Sequence, residues 1–341
     1  MLNKVKSGSF AGKTKFLSFI LFFALCGGVE AQTQLWGTCT AGGATGQGTI
    51  WVANGDGTGL HKVYDFVNAT GALPRGNMTL ANNGSIYGVT ELGGWGDSCV
   101  VYRYNSATGI YTDIHDLYQF TNLGYGTKSG MINASDGKLY GLCPMGGAYG
   151  PGVIYSIDPA TDLYSDVYDF LATDGNNPYG GLLQANDGNL YGFTYAGGTS
   201  NVGVIFKFNP LTNAYTTLYN FDGTTGGNTL YGSLIQATDG KLYGTTLYYG
   251  ANAQGVIYSF DLSTNIYTVL HNFNVMSGSP LVYKSQLIQA NDGKLYGTIE
   301  QLDSITSHFG SIYSFDIISN TYTDLFNFDH TNGADPKRGL I

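Results

Sequence analysis

An all-β fold is predicted by three features of this 341-residue chain. A turn phrase, Asn83-Gly84, Asp136-Gly137, Asp187-Gly188, Asp239-Gly240 and Asp292-Gly293, recurs with glycine spacings of 53, 51, 52 and 53. Each copy is followed three residues later by Tyr-Gly, at Tyr87, Tyr140, Tyr191, Tyr243 and Tyr296. No segment sustains the 3.6-residue apolar period of a helix, while Gly (51) and Tyr (27) are abundant. Self-similarity at this period implies one supersecondary unit per repeat, and four strands per unit make a blade. The sequence therefore predicts a six-bladed β-propeller of four-stranded blades.

The first element is a targeting segment. Lys4, Lys6, Lys13 and Lys15 precede an apolar run from Phe16 to Cys26, and Val29-Glu30-Ala31 offers a small-residue cleavage site. Residues 1–31 are expected to be a signal peptide cleaved after Ala31, leaving 32–341 as the propeller. The run is shorter than the ~20 residues of a membrane span. A secreted or cell-surface location follows, with no membrane insertion after cleavage.

The clearest repeat runs from Gly181 to Phe221. Piece A is Leu182-Leu183-Gln184-Ala185, and Asn-Asp-Gly reverses the chain, since Gly tolerates the positive φ of a tight hairpin. Piece B is Leu190 to Thr194, followed by a loop around Gly197-Gly198. Piece C is Val204 to Phe208, Asn209-Pro210 opens the next turn, and piece D is Tyr215 to Phe221. Piece C is apolar at successive positions, as a strand covered on both faces requires. Pieces B, C and D occur six times and piece A five times. The mature chain begins on a piece B at Leu35-Trp36-Gly37, and Arg338-Gly339-Leu340-Ile341 reads as the start of a sixth piece A. The ring is expected to close by this C-terminal strand pairing with the N-terminal blade, which would cover an exposed sheet edge. A chain truncated at Ile341 is the rival reading.

The phrase at 287–298, Leu-Ile-Gln-Ala-Asn-Asp-Gly-Lys-Leu-Tyr-Gly-Thr, and Gly-Val-Ile-Tyr-Ser-Phe-Asp at 255–261 resemble the GloVer tandem-repeat family of choice-of-anchor repeat proteins. The resemblance implies an exported bacterial protein of unassigned activity, usually tethered by a C-terminal anchor. Nothing after Phe328 looks like such an anchor. More distantly, Tyr-Gly-x-Thr-x-x-Gly-Gly followed by Tyr-x-Phe-Asp resembles a kelch blade, which implies a kelch-like propeller.

Charge narrows the partners. Without residues 1–31 the chain carries 11 basic and 23 acidic residues. Such a surface repels nucleic acid and anionic lipid, so no nucleic-acid partner is expected. Neutral glycans or proteins remain. Of the three remaining cysteines, Cys39 and Cys143 share a slot after piece B and Cys99 opens a piece C. A Cys39–Cys99 or Cys99–Cys143 disulfide is conceivable if Cα atoms come within ~7 Å; three buried thiols are the alternative. No cofactor and no metal site is expected, because neither Cys/His spacing nor an acidic loop of calcium type is present.

The recurrent Tyr and Asp-Gly are read as packing and turn residues, because a residue in every copy serves the repeat. Specialised chemistry should sit where copies differ. The B–C loops and D–A linkers are expected on one face of the ring, with Glu91, Trp95, Asp97, Tyr149, Tyr195, Tyr248, Tyr249, Glu300, Asp303 and His308 as candidate ligand-binding residues. The sixth blade's loop, at 300–310, lacks Gly-Gly and is the most irregular. His61, His115 and His271 fall in or beside piece D, where a solvated imidazole is the default. No nucleophile elbow, P-loop or dinucleotide fingerprint is present. A binding module for glycans or proteins is the leading reading. A polysaccharide-cleaving enzyme using Glu91, Asp97, Glu300 or Asp303, and a purely structural repeat of a larger surface protein, are the alternatives.

Overall fold

The computed structural model describes residues 34–117, 124–127, 129–227, 234–274, 282–284, 286–301, 309–329, 331–333, 336 and 340. They form six antiparallel sheets in sequence order. Sheet 1 has three strands, β1 (Gln34–Cys39), β2 (Thr49–Asn54) and β3 (His61–Asp65). Sheet 2 is β4 (Ala72–Leu80), β5 (Ser85–Leu92), β6 (Cys99–Asn105) and β7 (Ile110–Leu117). Sheet 3 is β8 (Ile132–Asn133), β9 (Leu139–Cys143), β10 (Val153–Asp158) and β11 (Leu163–Asp169). Sheet 4 is β12 (Leu183–Gln184), β13 (Leu190–Phe193), β14 (Val204–Asn209) and β15 (Ala214–Asn220). Sheet 5 is β16 (Ile235–Gln236), β17 (Leu242–Thr245), β18 (Val256–Asp261) and β19 (Ile266–Asn272). Sheet 6 adds a strand: β20 (Val282–Lys284) and β21 (Ile288–Gln289) both pair with β22 (Leu295–Gln301), followed by β23 (Ser311–Asp316) and β24 (Thr321–Asn327). The only helix described is one 3-10 turn, Asn68–Thr70.

The four pieces of each repeat are thus real strands, and the architecture is β-propeller-like. Two expectations need qualification. Among the described residues the first sheet has no inner strand, and of its expected partner Arg338, Gly339 and Ile341 lie outside them. The extra β20 was not foreseen; its Val282 pairs with Gln301 at the step where Ala72 pairs with Leu92 in sheet 2 and where Tyr125, Asn176 and Gly227 form single bridges in sheets 3 to 5.

The core is divided among the interfaces. Five apolar clusters lie between sheets 1 and 2, 2 and 3, 3 and 4, 4 and 5, and 5 and 6. Strands such as β18 are buried on both faces, which explains their unbroken apolar run. Among the described residues no such cluster joins sheet 6 to sheet 1, and Phe326 on β24 is exposed.

The Tyr-Gly phrase has a steric origin. A Cβ on Gly88, Gly141, Gly244 or Gly297 would overlap the ring of Tyr102, Tyr155, Tyr258 or Tyr313 on the adjacent strand; Phe206 does the same over Gly192, and Trp51 over Gly37. A β-bulge precedes this aromatic in all six sheets, between Ile50 and Trp51 in sheet 1 and at the matching step in the others. Bulges increase local twist and re-aim side chains. The Tyr of the phrase is structural too. Tyr140, Tyr191, Tyr243 and Tyr296 each donate a 2.7 Å hydrogen bond to the aspartate of their own Asp-Gly turn.

Candidate functional site

The irregular loops of sheets 1 to 5 join the strand carrying the Tyr-Gly or Trp-Gly phrase to the strand after it, as β5 to β6 and β9 to β10. Backbone bridges pair linker residue Tyr125 with Met145, Asn176 with Ala196 and Gly227 with Tyr248. The expected sharing of one face by B–C loops and D–A linkers is therefore met wherever these bridges form.

In sheets 1 to 5 the loop is tied to an acceptor on the outermost strand. Asp65 accepts from Ala44 N–H, Asp116 from Trp95, Asp169 from Ala148, Asn220 from Thr199 and Asn272 from Ala251, always across 21 residues. A carboxylate or amide oxygen satisfies a loop N–H that would otherwise need water. These five residues were missed from the sequence, although a constant 21-residue offset is a signal that a periodic search could have found.

Trp95 and Tyr149 project from these clamped loops on neighbouring sheets 2 and 3. They are 69% and 65% exposed, far outside the usual burial of such rings. The other candidates are more engaged. Tyr195 is half-buried, with its ring edge-on to Tyr179 at 6.1 Å. Tyr248 is half-buried in its bridge to Gly227. Tyr249 adopts φ 68° and lies over Gly223 and Gly227. Glu91 is ion-paired to Arg75 at 2.5 Å. Asp97 adopts φ 54° and accepts the N–H of Gly93 at 3.2 Å, closing its own loop. Glu300 is 9% exposed within β22, opposite Tyr283. Asp303 and His308 lie outside the described residues. Glu91 and Glu300 occupy equivalent slots, four residues after the Tyr of the phrase, but in sheets 2 and 6, which are not neighbours in the chain.

The three described cysteines, Cys39, Cys99 and Cys143, are free, so neither candidate disulfide is present. Cys39 is exposed, and Cys99 and Cys143 are buried in one cluster between sheets 2 and 3. Cys99 Sγ accepts from Gly126 N–H at 3.2 Å, and burial raises the Cys143 thiol well above its ordinary range. That is the environment of an inert core thiol.

The carboxyls that burial raises and the imidazoles that burial lowers lie on the outer strands β7, β11 and β19. Burial, with the nearby charge of Asp116, raises the Asp113 carboxyl to about 6. Burial, with Asp169 beside it, also raises Asp166. His115 and His271 do not behave as solvated imidazoles. They stack on Tyr164 and Tyr322 with centroids 4.0 Å apart, and burial lowers both pKa values. His61 is exposed, as expected. Among the described residues no group of three His, Cys, Asp or Glu is placed to hold a metal ion, and no helix is long and apolar enough to cross a membrane.

A sequence profile described as the Gloeobacter/Verrucomicrobia repeat matches residues 114–304. A search of curated proteins returns no match. Among solved structures, the chain is similar to the extracellular domain of a B. thetaiotaomicron protein described as a one-component system, with TM-score 0.57 and 13% identity, over 91% of this chain and 37% of that one. It is also similar to the extracellular domain of a B. thetaiotaomicron protein described as a hybrid two-component system, with TM-score 0.50 and 16% identity, over 82% and 34%. An oligogalacturonate lyase in complex with manganese gives TM-score 0.51 and 13% identity, over 87% and 86%. At these identities the likeness is one of fold. The chain spans little more than a third of the two extracellular domains.

Proposed function

Since the chain belongs to the Gloeobacter/Verrucomicrobia repeat family, we propose that it is an exported, surface-acting binding module that holds a glycan or protein on the loop face of a closed, kelch-like six-bladed ring. The observation that carries the reading is the pair Trp95 and Tyr149, highly exposed on adjacent sheets and mounted on loops clamped by Asp116 and Asp169. Exposed aromatic rings on rigid loops supply contact area with little ordering cost, the usual make-up of a binding hot spot. Two extracellular domains among the structural neighbours support an extracellular role. Binding is favoured over cleavage because Glu91 is ion-paired and Asp97 caps its own loop. A retaining or inverting glycosidase needs two carboxyls facing one bond.

A glycan array probed with the protein tests this, alongside a pull-down from the surface proteins of neighbouring cells. The expected result is a ligand whose capture falls at least tenfold in Trp95→Ala/Tyr149→Ala with unchanged thermal unfolding. A ligand held equally well by the double variant would move the site elsewhere, and release of shortened sugars would replace binding by catalysis.

A further inference from the structure

We infer that the ligand of the Trp95–Tyr149 surface is an uncharged, hydroxyl-rich sugar chain, and that Asp116 and Asp169 hold its hydroxyls with the carboxylate oxygen that the loop clamp leaves over. The inference rests on the loop-face reading and names the ligand class of that site.

The five clamped loops allow a comparison within one molecule. The clamp needs one acceptor oxygen, and the amides of Asn220 and Asn272 supply it in sheets 4 and 5. A carboxylate is therefore more than the clamp requires. Sheets 1, 2 and 3 nevertheless carry Asp65, Asp116 and Asp169, each of which gives Oδ1 to its loop. The second oxygen of Asp65 is taken by Lys62 at 2.6 Å. Among the described residues nothing donates to the second oxygen of Asp116 or of Asp169, and both side chains are only half-buried.

The aromatic rings follow the same division. The clamped residue and its successor are Ala44-Thr45, Trp95-Gly96, Ala148-Tyr149, Thr199-Ser200 and Ala251-Asn252 in sheets 1 to 5. A ring stands at this tip in sheets 2 and 3, the two sheets whose clamp has an oxygen to spare. Ring and carboxylate are adjacent in both. Asp116 accepts the N–H of Trp95 itself at 3.1 Å, and Asp169 accepts that of Ala148, next to Tyr149, at 2.7 Å.

A sugar presents C–H groups on its faces and hydroxyl donors around its edge. Exposed aromatic rings suit the faces, and a carboxylate accepts the hydroxyls more strongly than an amide does. One ring-and-carboxylate unit repeated on two adjacent sheets matches a ligand that itself repeats, which favours a sugar chain over a protein surface. Charge selects among sugars. Asp97 lies in the Trp95 loop beside the two clamp carboxylates. Among the described residues of sheets 2 and 3, Arg75 and Arg103 are ion-paired to Glu91 and Asp162, and Lys138 follows the hairpin turn at the opposite end of β9. A uronate or sulfate would meet like charge there.

Neutral hexamers of glucose, xylose, mannose and N-acetylglucosamine, with oligogalacturonate as the acidic comparison, are titrated calorimetrically into the protein and three variants: Asp116→Asn/Asp169→Asn, Trp95→Ala/Tyr149→Ala and Asp65→Asn. The Asn pair keeps the oxygen that clamps the loops, and amide exchange at Trp95 and Ala148 checks that they stay closed. The expected result is a neutral hexamer bound at least about tenfold more tightly than oligogalacturonate, with affinity about fivefold weaker in the Asn pair at unchanged exchange and unaltered in Asp65→Asn. Unchanged affinity in the Asn pair, or an equal loss in Asp65→Asn, overturns the carboxylate role. Preference for oligogalacturonate overturns the uncharged class. No hexamer bound overturns the sugar ligand; a protein captured through Trp95 and Tyr149 would then keep the loop-face reading. Sugar binding that survives both double variants overturns that reading as well.

Discussion

His271 lies flat against Tyr322, with ring centroids 4.0 Å apart and planes 3° from parallel. It takes the place that Tyr168 fills against Tyr215 and Tyr219 fills against Tyr267 at the neighbouring interfaces. His115 on Tyr164 is the only other described stack of this series that uses an imidazole. Burial lowers both histidine pKa values, against the opposing charges of Asp116 and Asp324. The unfolded chain therefore takes up these protons first. The contribution to stability is complete above the unfolded value of about 6.5 and is lost as pH falls through the lower folded values. Thermal unfolding should show a drop between pH 7 and 5 that shrinks by more than half in His115→Tyr/His271→Tyr. An equal drop in both proteins would place the acid sensitivity elsewhere.

Asp113 works in the opposite direction over the same range. Its folded pKa of about 6 is raised by burial and by Asp116, so the ionised form is disfavoured in the fold. Stability is lost as pH rises through that value. Asp113→Asn should stabilise the protein at pH 7.5 by on the order of 1 kcal/mol, after allowance for solvent screening at a half-exposed site. The gain should fade towards pH 4. Urea unfolding at the two pH values checks it, and a gain that persists unchanged at pH 4 would point to something other than charge.

The two repeat glycines of sheet 5 should fail for different reasons. Gly244 has no room, since a Cβ there would lie 2.5 Å from the Tyr258 hydroxyl. Gly240 has nothing within 4 Å but holds φ +84°. Gly244→Ala is expected to cost about 1–3 kcal/mol through overpacking, and Tyr258→Leu should offset part of that. Gly240→Ala is expected to cost about 1–2 kcal/mol from the left-handed backbone alone, with no rescue by Tyr258→Leu. A double-mutant cycle distinguishes the two.

The repeat made the strands legible, because Asp-Gly and Tyr-Gly mark both ends of one hairpin and apolar runs mark the doubly covered strand. It could not reveal why Gly88 must be Gly, since Tyr102 lies on the adjacent strand and meets it only through the β5–β6 register. The same blindness affected the site. Glu91 stood out as a candidate site carboxylate, since its partner Arg75 is on β4, before the turn. His115 and His271 looked solvated because the residues covering them, Tyr164 and Tyr322, belong to the next repeat. Trp95 and Tyr149 were visible in the sequence because nothing in the repeat requires them.

Two tyrosines of sheet 5 offer a second contrast. Among the described residues the buried hydroxyls of Tyr258 and Tyr313 have no hydrogen-bond partner, and sheet 4 uses Phe206 in the same slot. Tyr258→Phe should therefore be neutral or stabilise by up to about 1 kcal/mol, because a buried polar group without a partner is costly. Tyr243→Phe removes the 2.7 Å bond to Asp239 and should destabilise by about 1.5 kcal/mol. Reversal of this order in thermal unfolding would mean that a buried water serves Tyr258.

The clamps make a final prediction that joins fold to function. Asp116 accepts the N–H of Trp95 at 3.1 Å. The equivalent residues of sheets 4 and 5 are Asn220 and Asn272, which hold their loops through the same kind of oxygen. Charge is therefore dispensable at this position and an acceptor is not. Asp116→Asn should leave the loop in place, whereas Asp116→Ala should cost about 1 kcal/mol and loosen the Trp95 loop without removing any aromatic contact surface. Amide exchange at Trp95 should then rise several-fold in the Ala variant alone, as local opening becomes easier. Ligand capture should weaken in parallel, because a ring on a mobile loop must be ordered again on binding. Unchanged exchange in Asp116→Ala would show that the loop holds itself without the clamp.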